Sequence, residues 1–220
     1  MQELHFIPTP VSVTEGDGIF TVTRDITIVL PAAADNDDLF SVKRLQEGII
    51  KYLGFHGSVE KRFTGKQSSS NITLLRADRD ATWLPTDMPS LHQQGYHLRV
   101  TTDAILLIGA DAAGLFYAVE TLLQLLDQAG NAVPAIEITD YPALPNRGVM
   151  LDISRGKVPT VDTLLHIVDL LASWKINQFQ LYIEHTFAWP SHPKIGKGYD
   201  PLTPGDIITI DKACAKRHIN

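Results

Sequence analysis

The pattern of predicted strands and helices changes abruptly at a proline-rich segment, Asp140-Tyr141-Pro142-Ala143-Leu144-Pro145. Before this segment, hairpins and helices are mixed, which favours an α+β domain whose antiparallel or mixed sheet carries two helices on one face. After it, apolar strands alternate with amphipathic helices, which indicates right-handed βαβ units and a parallel sheet. We therefore predict two domains, residues 1–141 and residues 146–220.

Alternating and β-branched residues in the first domain predict most of its strands. These strands cover residues 5–13, 19–23, 26–30, 57–63, 70–76, 96–100, 104–108 and 133–138. One helix is predicted over residues 38–53, where apolar side chains recur at helical spacing. A second and stronger helix pattern lies between Asp111, a candidate N-cap, and Gly130, a candidate stop signal.

The second domain contains two strand–helix units and then ends. Its apolar strands are predicted over residues 148–153 and 178–183, and its helices over residues 160–174 and 204–216. Two parallel strands cannot bury their own faces and edges. We therefore expect the start of a (β/α)₈ TIM barrel, truncated within a longer protein, because a whole barrel takes about 250 residues. Exposed barrel strands of this kind also offer a surface for self-association.

Composition excludes several classes of partner. The formal net charge is -6 and no long run of like charge is present, so we expect no nucleic acid and no anionic membrane as a partner. The first residues lack the features of a signal peptide, and no stretch approaches the roughly 18 apolar residues that span a bilayer. The sequence therefore predicts a cytoplasmic protein. No phosphate-binding loop is complete, and we expect no cofactor.

Three segments carry a resemblance to a known family. The first runs from Tyr96 to Leu126 and ends in Gly109-Ala110-Asp111-Ala112-Ala113-Gly114-Leu115-Phe116-Tyr117-Ala118-Val119-Glu120-Thr121-Leu122-Leu123-Gln124-Leu125-Leu126. The second is Pro145-Asn146-Arg147-Gly148-Val149-Met150-Leu151-Asp152-Ile153-Ser154-Arg155. The third joins Asp169-Leu170-Leu171-Ala172 to Lys175-Ile176-Asn177-Gln178-Phe179. In order and spacing they resemble glycoside hydrolase family 20, the β-N-acetylhexosaminidases.

The resemblance implies a reaction and a substrate. Members of this family release terminal N-acetylglucosamine or N-acetylgalactosamine from glycans, with retention and with the substrate's own acetamido oxygen as the nucleophile. In the family an Asp-Glu pair at the end of the fourth barrel strand assists that attack. The matching position would lie beyond Asn220, so we expect no catalytic residue in these 220 residues and no activity from them alone.

Arg147 is the first candidate for contact with a sugar. It matches the arginine that the resemblance places at the start of the first barrel strand, where a guanidinium donates to hydroxyls of the terminal sugar. A rigid fork of N–H donors suits vicinal hydroxyls. The alternative is a salt bridge to a nearby acid such as Asp152, since barrel active sites lie at the other end of the strands.

The end of the second barrel strand departs from the family pattern. Many members carry His-x-Thr-Asp-Asp-x-x-Trp there, whereas this chain has Tyr182-Ile183-Glu184-His185-Thr186-Phe187-Ala188-Trp189. Glu184, His185 and Trp189 are candidates for substrate binding, because they follow the carboxyl end of a barrel strand. A solvated loop edge or a packed aromatic residue is the alternative. The spacing of His185 and His192 fits no common metal site, and we expect no metal.

Two other functions remain open on the sequence. The parent protein could be a related barrel glycosidase with the same front domain, of the O-GlcNAc hydrolase or α-glucuronidase type. Alternatively, the chain could be a non-catalytic module that binds carbohydrate or takes part in assembly. The residues after position 220 would separate the enzymes, since the family has an Asp-Glu pair and the O-GlcNAc hydrolases two adjacent Asp residues at the fourth strand.

Overall fold

The structure, a computed structural model, describes residues 4–64 and 70–220. It divides the chain into two compact units, Met1–Ala143 and Leu144–Asn220. The helices of the first unit are α1 (Asn36–Leu53) and α2 (Ala112–Ala129). Its strands are β1 (Ser12–Thr21), β2 (Thr27–Pro31), β3 (Ser58–Arg62), β4 (Asn71–Arg76), β5 (Tyr96–Val100), β6 (Ala104–Gly109) and β7 (Ala132–Asp140).

The seven strands form one mixed sheet, as the sequence predicted. Their order is β1-β7-β5-β6-β4-β2-β3. Strands β3, β2, β4 and β6 are mutually parallel, whereas β5 is antiparallel to both β6 and β7, and β1 is antiparallel to β7. The predicted hairpin of β5 and β6 is confirmed, with Thr101 and Ala104 closing its turn by a 3.0 Å backbone hydrogen bond.

Local capping chemistry sets the limits of both helices. In α2 the Asp111 carboxylate accepts from the Gly114 N–H at 2.8 Å, and Gly130 ends the helix, so both predicted signals are confirmed. Helix α1 begins earlier than predicted, because Asp35 and Asp38 form a reciprocal capping box one turn upstream. Helix α1 packs against α2, and α2 contacts β4, β5, β6 and β7.

The strand predicted over residues 5–13 is wrong for most of its length. Strand β1 begins only at Ser12, and residues 4–11, the part of the preceding segment that the structure describes, belong to no strand. Instead, the side-chain amide of Gln128 pairs with both the N–H and the carbonyl of His5, at 2.8 and 2.7 Å. Gln124 holds Ile7 in the same way, at 2.8 Å for both bonds. Two helix side chains thus satisfy the backbone groups that a neighbouring strand would otherwise have bonded.

The second unit contains two strand–helix repeats. Its elements are β8 (Gly148–Asp152), α3 (Val161–Ser173), β9 (Gln178–Tyr182) and α4 (Pro204–Ala215). Strands β8 and β9 pair in parallel in direct register, as expected for the start of a barrel. On the other side of β9, the Phe179 N–H donates to the Asn220 carbonyl at 2.8 Å. No helix in the described part of the chain is long and apolar enough to cross a membrane.

Candidate functional site

The carboxyl ends of β8 and β9 bring together residues from two separate loops. Because the strands are parallel and Asp152 pairs with Tyr182 at their last positions, the segments that follow emerge at the same edge. Arg155 belongs to the first of these loops and Glu184 to the second. In (β/α)₈ enzymes this edge of the sheet carries the active site.

Arg155 is fixed between two carboxylates. Its Nη1 donates to Asp152 Oδ2 at 2.5 Å and its Nη2 to Glu184 Oε1 at 2.7 Å. The guanidinium carbon lies 5.0 Å from the centre of the Tyr182 ring. The Tyr182 hydroxyl donates to the same Glu184 oxygen at 2.8 Å. A flexible cation is thereby held in one place although 64% of its side-chain surface is exposed.

Two hydrogen bonds of Ser154 fix the first loop and join it to the second. The Ser154 N–H donates to Asp152 Oδ1 at 2.8 Å, and the Ser154 hydroxyl accepts from the Glu184 N–H at 2.6 Å. The bond from Ser154, together with the Arg155 side chain, holds the pKa of the Asp152 carboxyl below its usual range. Hydrogen bonds to Tyr182 and Asp152, reinforced by the charge of Glu184, raise the pKa of the Arg155 guanidinium. The Asp152 carboxylate and the Arg155 guanidinium are therefore both charged at neutral pH.

His185 stands beside this cluster and is packed by the loop that follows. Its ring meets Tyr199 edge to face, with the ring centres 5.0 Å apart. Gly196 has a φ of 74°, and a Cβ at this position would collide with the His185 carbonyl oxygen. The ends of the loop are joined where Phe187 bridges Leu202 in parallel fashion. Residues 187–202 thus form a loop whose ends are paired and which packs against His185.

Trp189 lies on the rim of that loop. Its ring packs edge to face on Phe187, with ring centres 4.9 Å apart, and 43% of its surface is exposed. It borders an open depression of about 670 Å³ that is also lined by Pro190, Ile195 and Lys197. An exposed indole of this kind offers an apolar face to a flat ligand.

The structure places Arg147 away from the other predicted site residues. It precedes β8, roughly 17 Å from the carboxyl end at about 3.3 Å per residue. Its Nε donates to the Lys175 carbonyl at 2.8 Å and its Nη1 to the Leu144 carbonyl at 2.9 Å. The salt bridge to Asp152 that we considered is wrong, since that carboxylate binds Arg155. Arg147 fastens the entry of β8 to the start of β9, and its contact with sugar stays a prediction.

Sequence reasoning overlooked Arg155, although it stands in the quoted segment. A basic residue three positions beyond the end of an apolar barrel strand, with an acid at that end, was the available signal. Arg147 drew attention because it began the motif. Among the residues that the structure describes, no group of three or more His, Cys, Asp or Glu side chains is arranged to hold a metal ion.

Comparison with known proteins agrees with this architecture. The model of glycosyl hydrolase family 20, domain 2, matches residues 3–141, and the model of the family's catalytic domain matches residues 144–197. A front domain joined to the opening of a glycosidase barrel is therefore the class that the fold defines. The chain belongs to glycoside hydrolase family 20.

Individual relatives extend the comparison. The chain is 31% identical over 217 residues to a beta-hexosaminidase of Porphyromonas gingivalis, covering 92% of this chain and 26% of that protein. It is 30% identical over 196 residues to a beta-N-acetylhexosaminidase of Cellulomonas fimi, covering 87% of this chain and 37% of that protein. The chain thus spans about a quarter of the length of the first relative and somewhat more than a third of the second.

Solved structures share the fold. A chitobiase of Flavobacterium johnsoniae superposes with a TM-score of 0.76 at 25% identity, covering 98% of this chain and 33% of that chain. The family 20 beta-N-acetylhexosaminidase of Streptomyces coelicolor superposes with a TM-score of 0.79 at 24% identity, covering 98% and 44%. These likenesses confirm a front α+β domain followed by part of a TIM barrel.

Proposed function

We propose that the protein to which this chain belongs is an exo-β-N-acetylhexosaminidase. It would release terminal N-acetylglucosamine or N-acetylgalactosamine from glycans, with the substrate's acetamido oxygen as the nucleophile and with retention. The observation that carries the proposal is the membership of the chain in family 20, which favours this enzyme over the O-GlcNAc hydrolases and α-glucuronidases. A non-catalytic carbohydrate-binding module is the outcome if the complete protein turns over no glycoside.

Within this proposal the present residues bind and orient the sugar. Arg155 donates to hydroxyls, Glu184 and His185 line the same edge, and Trp189 stacks against a ring at the rim. The support is their shared position beyond the carboxyl ends of two parallel strands. The groups that protonate the leaving oxygen and orient the acetamido group lie outside these 220 residues in this proposal.

The activity test uses the complete open reading frame that encodes this chain. Its product should hydrolyse aryl N-acetyl-β-glucosaminides or galactosaminides with retention, and a thiazoline that mimics the cyclised acetamido intermediate should inhibit it. The 220-residue chain, purified alongside as a matched control, should give no turnover above background. Turnover by that chain which survives repurification would overturn our placement of the catalytic groups.

A pair of arginine variants tests the location of the sugar contacts. Arg155→Met in the complete enzyme should lower kcat/KM by roughly 10- to 100-fold, because a charge-assisted hydrogen bond contributes about 1.5–3 kcal/mol. Arg147→Met should chiefly lower the melting temperature, since its guanidinium bonds backbone carbonyls. The reverse result, with Arg147 controlling KM, would restore the assignment made from the resemblance.

A further inference from the structure

The strand-end cluster, which consists of Asp152, Arg155, Tyr182 and Glu184, holds one cation and two carboxylates. We propose that Glu184 is a positioning residue that fixes Arg155 and balances its charge. The cluster then receives neutral vicinal hydroxyls and rejects anions. This inference rests on the proposed function and deepens it, because it names the class of sugar that the cluster accepts. It also makes Glu184 a residue that positions Arg155 and not one that contacts the sugar.

Glu184 is held firmly enough to act as a support. Its Oε1 accepts from both Arg155 Nη2 and the Tyr182 hydroxyl, at 2.7 and 2.8 Å, and its own N–H donates to the Ser154 hydroxyl at 2.6 Å. Three restraints on one short segment fix the carboxylate before any ligand arrives. A free arginine side chain would lose rotamer entropy on binding a sugar. An arginine that Glu184 already holds has lost most of that freedom on folding.

The charges of the cluster decide which ligand it suits. One guanidinium faces two carboxylates, so the cluster carries a net charge of about −1 when all three groups are ionised. A sulfate, a phosphate or a sugar carboxylate would meet repulsion from Asp152 and Glu184. A neutral hydroxyl can accept from an N–H of Arg155 without meeting that repulsion. Neutral sugar hydroxyls therefore suit an arginine whose charge Asp152 and Glu184 already balance.

The first experiment tests positioning on the 220-residue chain itself. Nitrogen-15 spectra at low temperature should resolve separate Nη–H signals for Arg155, because its two carboxylate bonds slow rotation of the guanidinium. Glu184→Ala should merge those signals, whereas Glu184→Gln, which keeps an acceptor oxygen, should merge them only in part. Glu60→Gln makes the same change at an exposed ion pair of the first unit and should leave Arg155 unaltered. Unchanged Arg155 signals in Glu184→Ala would overturn the positioning role.

The second experiment tests charge balance on the complete enzyme. Glu184→Gln should lower kcat/KM for an aryl N-acetyl-β-glucosaminide by roughly tenfold, mainly through KM, since the ion pair that holds Arg155 becomes a weaker bond to a neutral acceptor. The same variant should bind inorganic sulfate, read as competitive inhibition, at least about tenfold more tightly than the wild type. Tyr182→Phe, which removes only the hydroxyl on Glu184, should shift both values in the same direction by less.

The outcomes separate the two claims. A wild-type enzyme that is inactive on every N-acetylhexosaminide overturns the proposed function, while the spectra of the 220-residue chain still decide the positioning role. An active wild type whose Glu184→Gln variant gains no affinity for sulfate overturns the charge-balance inference and leaves the enzyme assignment standing. Equal melting temperatures of the variants and the wild type are required in both experiments, so that loss of folding does not imitate either result.

Discussion

Arg147 and Arg155 stand at opposite ends of β8 and have different partners. Arg147 donates to backbone carbonyls. A backbone carbonyl that is shielded from water needs a hydrogen-bond donor. Arg155 bonds two side-chain carboxylates and remains 64% exposed. The same residue type therefore has a bracing role at the amino end of the strand and is available to a ligand at the carboxyl end.

The positions of the candidate site residues were predictable only where strand direction decided them. Glu184, His185 and Trp189 could be placed at the carboxyl edge because they directly follow an apolar strand. The sequence could not favour Arg155 over Arg147 as a sugar contact, because the carboxylate that fixes Arg155 belongs to Glu184, 29 residues away in the chain. Sequence spacing predicts the edge of the sheet on which a residue lies. It does not predict which side chain from another loop that residue will contact.

His97 should make the stability of the first unit depend on pH. It is fully buried on β5, its Nδ1 contacts the Thr139 hydroxyl at 3.0 Å, and its Nε2 has no hydrogen-bond partner among the described residues. Burial lowers the pKa of His97 below the usual 6.5. The unfolded chain therefore takes up a proton more readily than the folded chain, so His97 contributes stability above about pH 6.5 that is lost as the pH falls.

The test compares urea midpoints at about pH 7.5 and about pH 5. The wild type should lose more stability on acidification than His97→Gln, which cannot take up a proton at this site. His56→Gln, a change at an exposed histidine of the same unit, should keep the wild-type pH dependence. Glu137 and Asp87 oppose the lowering of this pKa and Arg99 adds to it, so an unchanged pH dependence in His97→Gln would mean that these charges cancel the effect of burial.

At the scale of elements, predictions succeeded where the signal was local. Helix α2 carries its own cap and stop at Asp111 and Gly130, and both were read correctly. The segment over residues 5–13 has the composition of a strand, but its backbone is bonded by glutamines more than 100 residues away in the chain. An extended, partly apolar segment has the same sequence pattern whether its backbone groups are hydrogen-bonded by a neighbouring strand or by helix side chains.

The contact between α1 and α2 contains a buried ion pair. Removing one partner should destabilise the protein more than removing both. Arg44 Nε donates to Glu120 Oε1 at 2.7 Å, and only 2% of the Glu120 side chain is exposed. Arg44→Met should destabilise the protein by about 3 kcal/mol, because it leaves a buried carboxylate without its counter-charge. Combining Arg44→Met with Glu120→Leu should recover most of that loss, since both charges are then absent.

The exposed pair on the same helix provides the control. Lys43 and Glu47 are 3.7 Å apart with more than half of each side chain in solvent, so Lys43→Met should change the free energy of unfolding by less than about 1 kcal/mol. Chemical denaturation of the four proteins measures all of these values. If the double variant were as unstable as Arg44→Met alone, packing of the Arg44 chain rather than charge would be the source of the loss.

At the scale of the whole molecule, the two units bury their strands to different extents. In the first unit Ile28, Ile72 and Leu98 are completely buried on inner strands of a seven-stranded sheet. In the second unit Val149 and Met150 of β8 are 41% and 59% exposed, because a two-stranded sheet has few neighbours to cover it. Self-association through these strands stays a prediction, and light scattering of the 220-residue chain over a range of concentrations would measure it.

The single cysteine provides a probe that reads the second unit alone. Cys214 lies buried on α4, and burial, with a smaller contribution from Asp211, raises the pKa of its thiol to about 11. Only the thiolate attacks a disulfide reagent, so labelling at neutral pH should be slow in the folded chain and rise steeply in urea, as the second unit opens. Ser191→Cys combined with Cys214→Ala places a thiol at an exposed loop position and should react at once without urea. Rapid labelling of native Cys214 would mean that α4 opens readily even when the rest of the chain is folded.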